Sequence, residues 1–224
     1  MEQQSSALEE LQRDDSSRKR FLKMVGGAGA AGALAIFVAA CGDDDEDEGA
    51  SSGERKSTAA GGHTSDAEIV NYALTLEYLE ADFYQQVIDS GEITDRKIVE
   101  AAKKIGENEQ EHVDALEATA RQLGAKVATK PTTKFDDVLA GGQDKILETA
   151  ASVENLGAAA YLGQAGNIRD PKILAAALSI HSVEARHAAA LNTLVGKTIV
   201  PDGAFAKPAS MDEVLKAVKP FIAS

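Results

Sequence analysis

Ile180-His181-Ser182-Val183-Glu184-Ala185-Arg186-His187-Ala188-Ala189-Ala190-Leu191 is the stretch on which the reading of this chain turns. On an α-helix, residues three apart lie on one face about one turn apart, so the Glu184 carboxylate and the His187 imidazole can reach the same ion. A single E-x-x-H triplet in a Glu-rich chain is ordinarily a solvated helix face. A second copy changes its weight: Glu109-Gln110-Glu111-His112 has the same spacing 75 positions earlier. The apolar stripe repeats with it, Ile98, Ala102, Ile105 and Leu116 standing against Ile173, Ala177, Ile180 and Leu191.

The helix before each E-x-x-H repeats as well. Leu76-Glu77-Tyr78-Leu79 aligns with Val153-Glu154-Asn155-Leu156 at an offset of 77 positions, and Tyr84 aligns with Tyr161. Each half of the domain thus carries a Glu followed seven residues later by a Tyr on the same face, and then an E-x-x-H on the next helix. Glu80, one turn after Glu77, is the alternative ligand if the register slips, but the repeat places Gly157 opposite it. His181, one turn before Glu184 and opposite Gly106, is either a support for a ligand or a helix-surface residue.

The boundaries of these helices carry recognisable signals. Ser65 with Glu68 forms a capping box that starts a helix running to about Ser90-Gly91, with Val70, Ala73, Leu74, Glu77, Ala81, Tyr84 and Val87 or Ile88 as its inward stripe. Thr94 or Asp95 opens the second helix, and Gly124 closes it. A short connection makes that hairpin antiparallel. From Ala125 to Gly142 the pattern breaks around Pro131, although Phe135 to Leu139 has the makings of one packed turn. At roughly 3.3 Å per residue this segment spans some 55 Å, more than the roughly 42 Å of a helix of about 28 residues, so it can run from one end of a bundle to the other. Gln143 to Ala165 is the third helix. Asp170-Pro171 opens the fourth, which ends near Gly196. A capping box at Ser210 and Glu213 starts a short last helix whose apolar residues suit packing on the bundle and which carries no chemistry of its own.

Four carboxylates and two imidazoles converging in an apolar interior are costly without cations, because an unpaired buried carboxylate raises its pKa and neutralises. Two divalent ions balance four carboxylates and use every ligand. Glu77 and His112 would hold one ion, Glu154 and His187 the other, with Glu109 and Glu184 bridging. Oxygen-rich ligation with one imidazole per ion suits iron or manganese, while ligand type alone leaves zinc open.

With these residues, the chain resembles the ferritin-like superfamily of di-iron and di-manganese carboxylate proteins, in which one Glu on each of two helices joins an E-x-x-H on each of the other two. Within it, Asn71-Tyr72-Ala73-Leu74-Thr75-Leu76-Glu77-Tyr78-Leu79-Glu80-Ala81-Asp82-Phe83-Tyr84 is similar to bacterial ferritin-like domain lipoproteins related to desiccation-associated proteins. The resemblance covers about Asp66 to Gly196. It implies an all-α fold, a four-helix bundle with one long crossover between helices two and three, here followed by a short C-terminal helix. It further implies ferroxidase, peroxidase or catalase-like activity, with oxygen or peroxide as oxidant, in oxidative or desiccation stress. Tyr84 and Tyr161 are then candidates to donate a hydrogen bond or an electron beside the metals.

The remaining segments bear on location and partners. Ser17-Arg18-Lys19-Arg20-Phe21-Leu22-Lys23 precedes an uncharged run from Met24 to Ala40 that is short and weakly apolar for a membrane span. It reads as a cleaved export signal over residues 1–40, similar to twin-arginine signals except that Lys19 replaces the second Arg, which leaves the general secretory route open. Val38-Ala39-Ala40-Cys41 resembles the lipobox of bacterial lipoproteins, making Cys41 the lipidated residue that tethers the chain to the outer face of the cytoplasmic membrane. Residues 41–65, with an acidic run and a Gly/Ser-rich stretch ending near a solvated His63, read as a flexible tether. The bundle takes residues 66–200, and residues 201–224 form a loop and the last helix.

Composition narrows the function classes. A net charge of -13 argues against a nucleic-acid partner, which needs clustered Lys and Arg. A single Cys excludes an internal disulfide, a Cys-based zinc site and a rubredoxin centre, so reductant must come from an external donor or from the substrate. A lipid anchor and long tether disfavour a storage cage and leave room for a homodimer. The competing expectations are a non-catalytic envelope protein that uses metal for stability, and a metal-scavenging module.

Overall fold

The computed structural model describes residues 64–223. The export signal, Cys41, the tether up to residue 63 and His63 itself lie outside the described residues. Six helices follow in order: α1 (Asp66–Ser90), α2 (Arg96–Gln122), the single turn α3 (Asp136–Leu139), α4 (Gly142–Ala165), α5 (Pro171–Leu194) and α6 (Met211–Val218), the last continued by a 3-10 turn (Lys219–Phe221). No described helix is long and apolar enough to cross a membrane.

The helix starts follow local chemistry. Ser65 accepts from the Glu68 backbone N–H while the Glu68 carboxylate accepts from the Ser65 backbone, and Ser210 and Glu213 repeat the arrangement. Asp95 caps α2 by accepting from the Lys97 and Ile98 amides, and Asp170 caps α5 by accepting from Lys172, with Pro171 in the first turn. Each such cap contributes about 1 kcal/mol. Gly91 ends α1 with φ 68°, a left-handed conformation that a side chain would strain.

Two hairpins, α1 with α2 and α4 with α5, make the bundle. The crossover between them runs from α2 to α4 and is anchored by Phe135, which is fully buried and meets Phe83 edge-on at 4.9 Å. It also pairs with the C-terminal tail: Thr133 bridges Ile222 in antiparallel fashion, and the Lys134 amide donates to the Phe221 carbonyl at 2.9 Å. Phe221 stacks on Phe135.

α1 is buried far more widely than a single amphipathic stripe requires. Beyond Val70, Ala73, Leu74, Glu77, Tyr84 and Val87, it also buries Tyr72, Leu76, Leu79, Glu80 and Phe83. The extra cover comes from the crossover and from α6, whose Val214 and Val218 share one apolar cluster with Leu76, Leu79, Phe83 and Phe135. Backbone before α6 lies directly against α4, where the Ala209 amide donates to the Ala159 carbonyl. Gly163 permits that approach, since a Cβ there would stand 1.9 Å from the Ala209 carbonyl oxygen.

Candidate metal centre

Midway along the bundle, α1 supplies Glu77, α2 supplies Glu109 and His112, α4 supplies Glu154, and α5 supplies Glu184 and His187. All four carboxylates are fully buried and His187 nearly so, while His112 keeps 11% of its side chain exposed. The six form two overlapping groups, Glu77, Glu109, His112 and Glu184, and Glu109, Glu154, Glu184 and His187. Within each group one ligand atom per residue lies within 4.8 Å of the others. Glu109 and Glu184 belong to both, the placement a bridging carboxylate needs.

The imidazoles face inward. His112 Nδ1 stands 3.1 Å from Glu77 Oε2, 3.1 Å from Glu109 Oε2 and 3.2 Å from Glu184 Oε1. His187 Nδ1 stands 2.9 Å from Glu109 Oε1 and 3.2 Å from Glu154 Oε2. One ring nitrogen carries at most one proton, so it cannot serve three carboxylate oxygens at once. Glu109 Oε1 and both oxygens of Glu184 accordingly accept no well-aligned hydrogen bond although they are buried. Distance without direction leaves them unsatisfied, a costly state in a protein interior. Divalent cations answer that deficit, and the donor set of carboxylates with one imidazole per position fits iron or manganese.

Two phenols complete the carboxylates, and they cross the repeat. Tyr84 donates to Glu154 Oε1, and Tyr161 donates to Glu77 Oε1, so each tyrosine serves the Glu of the opposite half. Burial, and then the neighbouring carboxylate, raises both phenol pKa values well above the usual range and keeps them donors.

Without cations the cluster holds protons. Burial raises Glu77 to about 7 and raises Glu154. Burial, reinforced by the surrounding acids, takes Glu184 well above its ordinary value. Burial acts the same way on Glu109, but His112 and His187 together outweigh it and keep that carboxyl below its ordinary value. Burial would neutralise both imidazoles, yet Glu77 and Glu109 raise His112, and Glu154 and Glu109 raise His187. Metal entering this cluster therefore displaces protons.

A fifth carboxylate belongs to the same interior. Glu80 is buried, its Oε2 has no hydrogen-bond partner, and burial followed by the charge of Glu184 raises its pKa well above the ordinary value. The repeat gave it low weight because Gly157 lies opposite. The structure turns that observation around: a Cβ on Gly157 would stand 2.8 Å from Glu184 Oε2 and 3.0 Å from Glu80 Oε1. The missing side chain makes the space in which Glu80 sits. A small apolar gap at Glu80 and Gly157 is lined by Val214 and Val218 of α6, so the last helix, which carries no reactive group, covers the acidic cluster.

Two other polar residues resolve differently from what spacing suggests. His181 donates to the Ala158 carbonyl at 3.0 Å, in the tautomer that carries the proton on Nδ1, and so props α5 against α4. Asn108, invisible to the repeat because Val183 holds the matching position, places Oδ1 3.3 Å from His187 Nε2 and orients that ring. Its one sequence signal is a carboxamide adjacent to Glu109.

No curated protein shows a significant match to the chain. The model of the ferritin-like domain family matches residues 65–197, a span that takes in all four long helices, all six converging side chains and both tyrosines. With more than half of the 224 residues inside that match, and with an all-helical bundle carrying a buried carboxylate and imidazole cluster compatible with a di-metal site, the chain belongs to the ferritin-like domain family.

Proposed function

We propose that the chain is an exported, lipid-anchored oxidoreductase of the cell envelope that binds two iron or manganese ions and uses oxygen or peroxide as oxidant, in defence against oxidative or desiccation stress. The observation that carries the reading is the unsatisfied bridging pair, Glu109 Oε1 and both Glu184 oxygens, buried where two ligand groups overlap. Glu77 and His112 hold one position, Glu154 and His187 the other. Redox-active ions bound there supply one-electron steps and a binding place for the oxidant. Tyr84 and Tyr161 stay protonated and donate to the carboxylates of the two positions, fixing their rotamers and drawing off part of the negative charge that faces each ion. Asn108 holds the His187 ring. The apolar cover of α6, Leu76 and Leu79 excludes water from the Glu80 side, which strengthens every electrostatic interaction inside.

The signal-like sequence over residues 1–40 and the lipobox-like position of Cys41 support placement at the envelope. A single Cys gives this sequence no Cys-ligated electron-transfer centre, which favours a ferrous substrate, a second peroxide or an external donor as the source of electrons. Elemental analysis of the full chain tests the reading: about two iron or manganese ions per chain are expected. Ferrous oxidation and oxygen evolution from peroxide, assayed in parallel, then assign the reaction. A protein that takes up neither metal and whose melting temperature is indifferent to both overturns it. Membrane fractionation of Cys41→Ala tests the anchor, with release into the soluble fraction expected.

A further inference from the structure

The repeat that builds the ligand set also builds two apolar cavities, one behind each tyrosine. Ile69, Ala73, Leu116 and Ile180 line the cavity at Tyr161, and their repeat partners Ile146, Ala150, Leu191 and Ile105 line the one at Tyr84. The two spaces are unequal, about 30 Å³ against about 10 Å³. The largest exchange between matching positions that line both runs in the same direction. Phe83 lies in the smaller cavity, fully buried, and Ala160 holds the matching position in the larger. A ring fills on one side the volume that a methyl leaves open on the other.

We propose that the larger cavity is a binding place for molecular dioxygen, which reaches the centre on the Tyr161 and Glu77 side; the function of that delivery rests on the oxidoreductase reading above. Three features select the occupant. The volume of about 30 Å³ admits a diatomic molecule. The wall is almost wholly apolar, a surface that favours an apolar gas over water. A water or a peroxide needs several polar partners, and most of those nearby are engaged: the Tyr161 hydroxyl donates to Glu77, the Thr119 hydroxyl to the Ala115 carbonyl, and the Gln164 carboxamide oxygen accepts from Asn167. Among the lining hydroxyls that leaves the buried, unpartnered Tyr72. Tyr161 lines the cavity and its hydroxyl donates to Glu77, so an occupant beside that ring is one side chain away from one candidate metal position. The Tyr84 side offers no comparable space.

Methyl NMR of the metal-free full chain under several bar of dioxygen, with argon as reference, reads occupancy directly, because dissolved dioxygen is paramagnetic and shortens the relaxation of methyls it touches. The methyls of Ile69, Leu116 and Ile180 are expected to relax several-fold faster than those of Ile146, Leu191 and Ile105. Ala160→Phe should abolish the difference, and Ala160→Leu provides a gentler filling if the larger ring disturbs folding. Equal enhancement in the two sets overturns the proposal. So does a shift of the Ile69, Leu116 and Ile180 methyls on titrating hydrogen peroxide, which would mark the cavity as a site for the polar oxidant. Neither readout needs a metal, so a chain that fails to bind iron or manganese defeats the oxidoreductase reading and leaves the cavity result to be judged separately.

Discussion

The Tyr84 hydroxyl reaches from α1, in the first half of the repeat, to Glu154 on α4, in the second. Tyr161 returns the same bond to Glu77. A hydrogen bond to a charged acceptor contributes about 1.5–3 kcal/mol. Tyr84→Phe and Tyr161→Phe should each destabilise the metal-loaded chain by roughly that amount, read by urea unfolding. Because each tyrosine serves one position, Tyr84→Phe should weaken metal held by Glu154 while leaving the Glu77 position near its original affinity. Equal weakening at both positions would contradict the pairing.

The overlap of the two ligand groups separates terminal from bridging residues. His112→Ala and His187→Ala should each reduce metal content from about two ions per chain to about one, since the other group stays complete. Glu184→Gln, which alters both groups, should reduce it towards zero. Mass spectrometry of the native holoprotein counts the ions in each variant.

Stability of the metal-free chain should fall as pH rises from about 4.5 to about 7. Glu77 goes from an ordinary value of 4.5 to about 7 on folding, so folding takes up a proton in that window. Its stabilising contribution is complete below the unfolded value and is lost as pH climbs through the folded one. Glu80, Glu154 and Glu184 shift in the same direction. Glu109 shifts oppositely and adds stability above its ordinary value, but it is one group against four. The slope is about 1.4 kcal/mol per pH unit for each net proton. Calorimetry across this range should show it, and iron or manganese should cancel it by replacing the protons. A melting temperature that rises with pH in the metal-free chain would refute the assignment.

Gly157→Ala sets helix propensity against the site. Alanine is favoured over glycine by about 1 kcal/mol in a helix interior, and the added methyl meets flexible carboxylate ends rather than backbone. The metal-free chain should therefore unfold at equal or higher urea concentration. The same methyl forces Glu184 Oε2 aside, so metal affinity should fall at least tenfold at both positions. Calorimetric titration with manganese measures the second effect and chemical denaturation the first.

The residues that were easy to read share one property, that their signal is local or repeats. Capping at Ser65, Asp170 and Ser210 depends on neighbours within three positions, the helices follow from those signals with the apolar periodicity, and the E-x-x-H pairs carry the resemblance that implies the bundle. The convergence of Glu77, Glu109, His112, Glu154, Glu184 and His187 was legible because each half repeats the other. What could not be read departs from the repeat. Glu80 is hidden beneath α6, a helix more than a hundred positions away, and its space comes from an absent side chain at Gly157. Asn108 faces His187 where the other half has Val183. The unequal cavities go with Phe83 against Ala160, a difference that gains meaning only once both sites are known to sit behind equivalent tyrosines.

Glu109 and Glu184 have a further consequence when viewed as a contract between hairpins. The group around His112 draws three residues from the first hairpin and borrows Glu184 from the second; the group around His187 draws three from the second and borrows Glu109 from the first. Neither hairpin can complete even one group unaided. Metal held there would bind the docked pair and not its separated parts, and by mass action each bound ion would add its binding free energy to the association of the two halves. Cut within the crossover, the chain would become a two-component device whose reassembly is commanded by metal concentration.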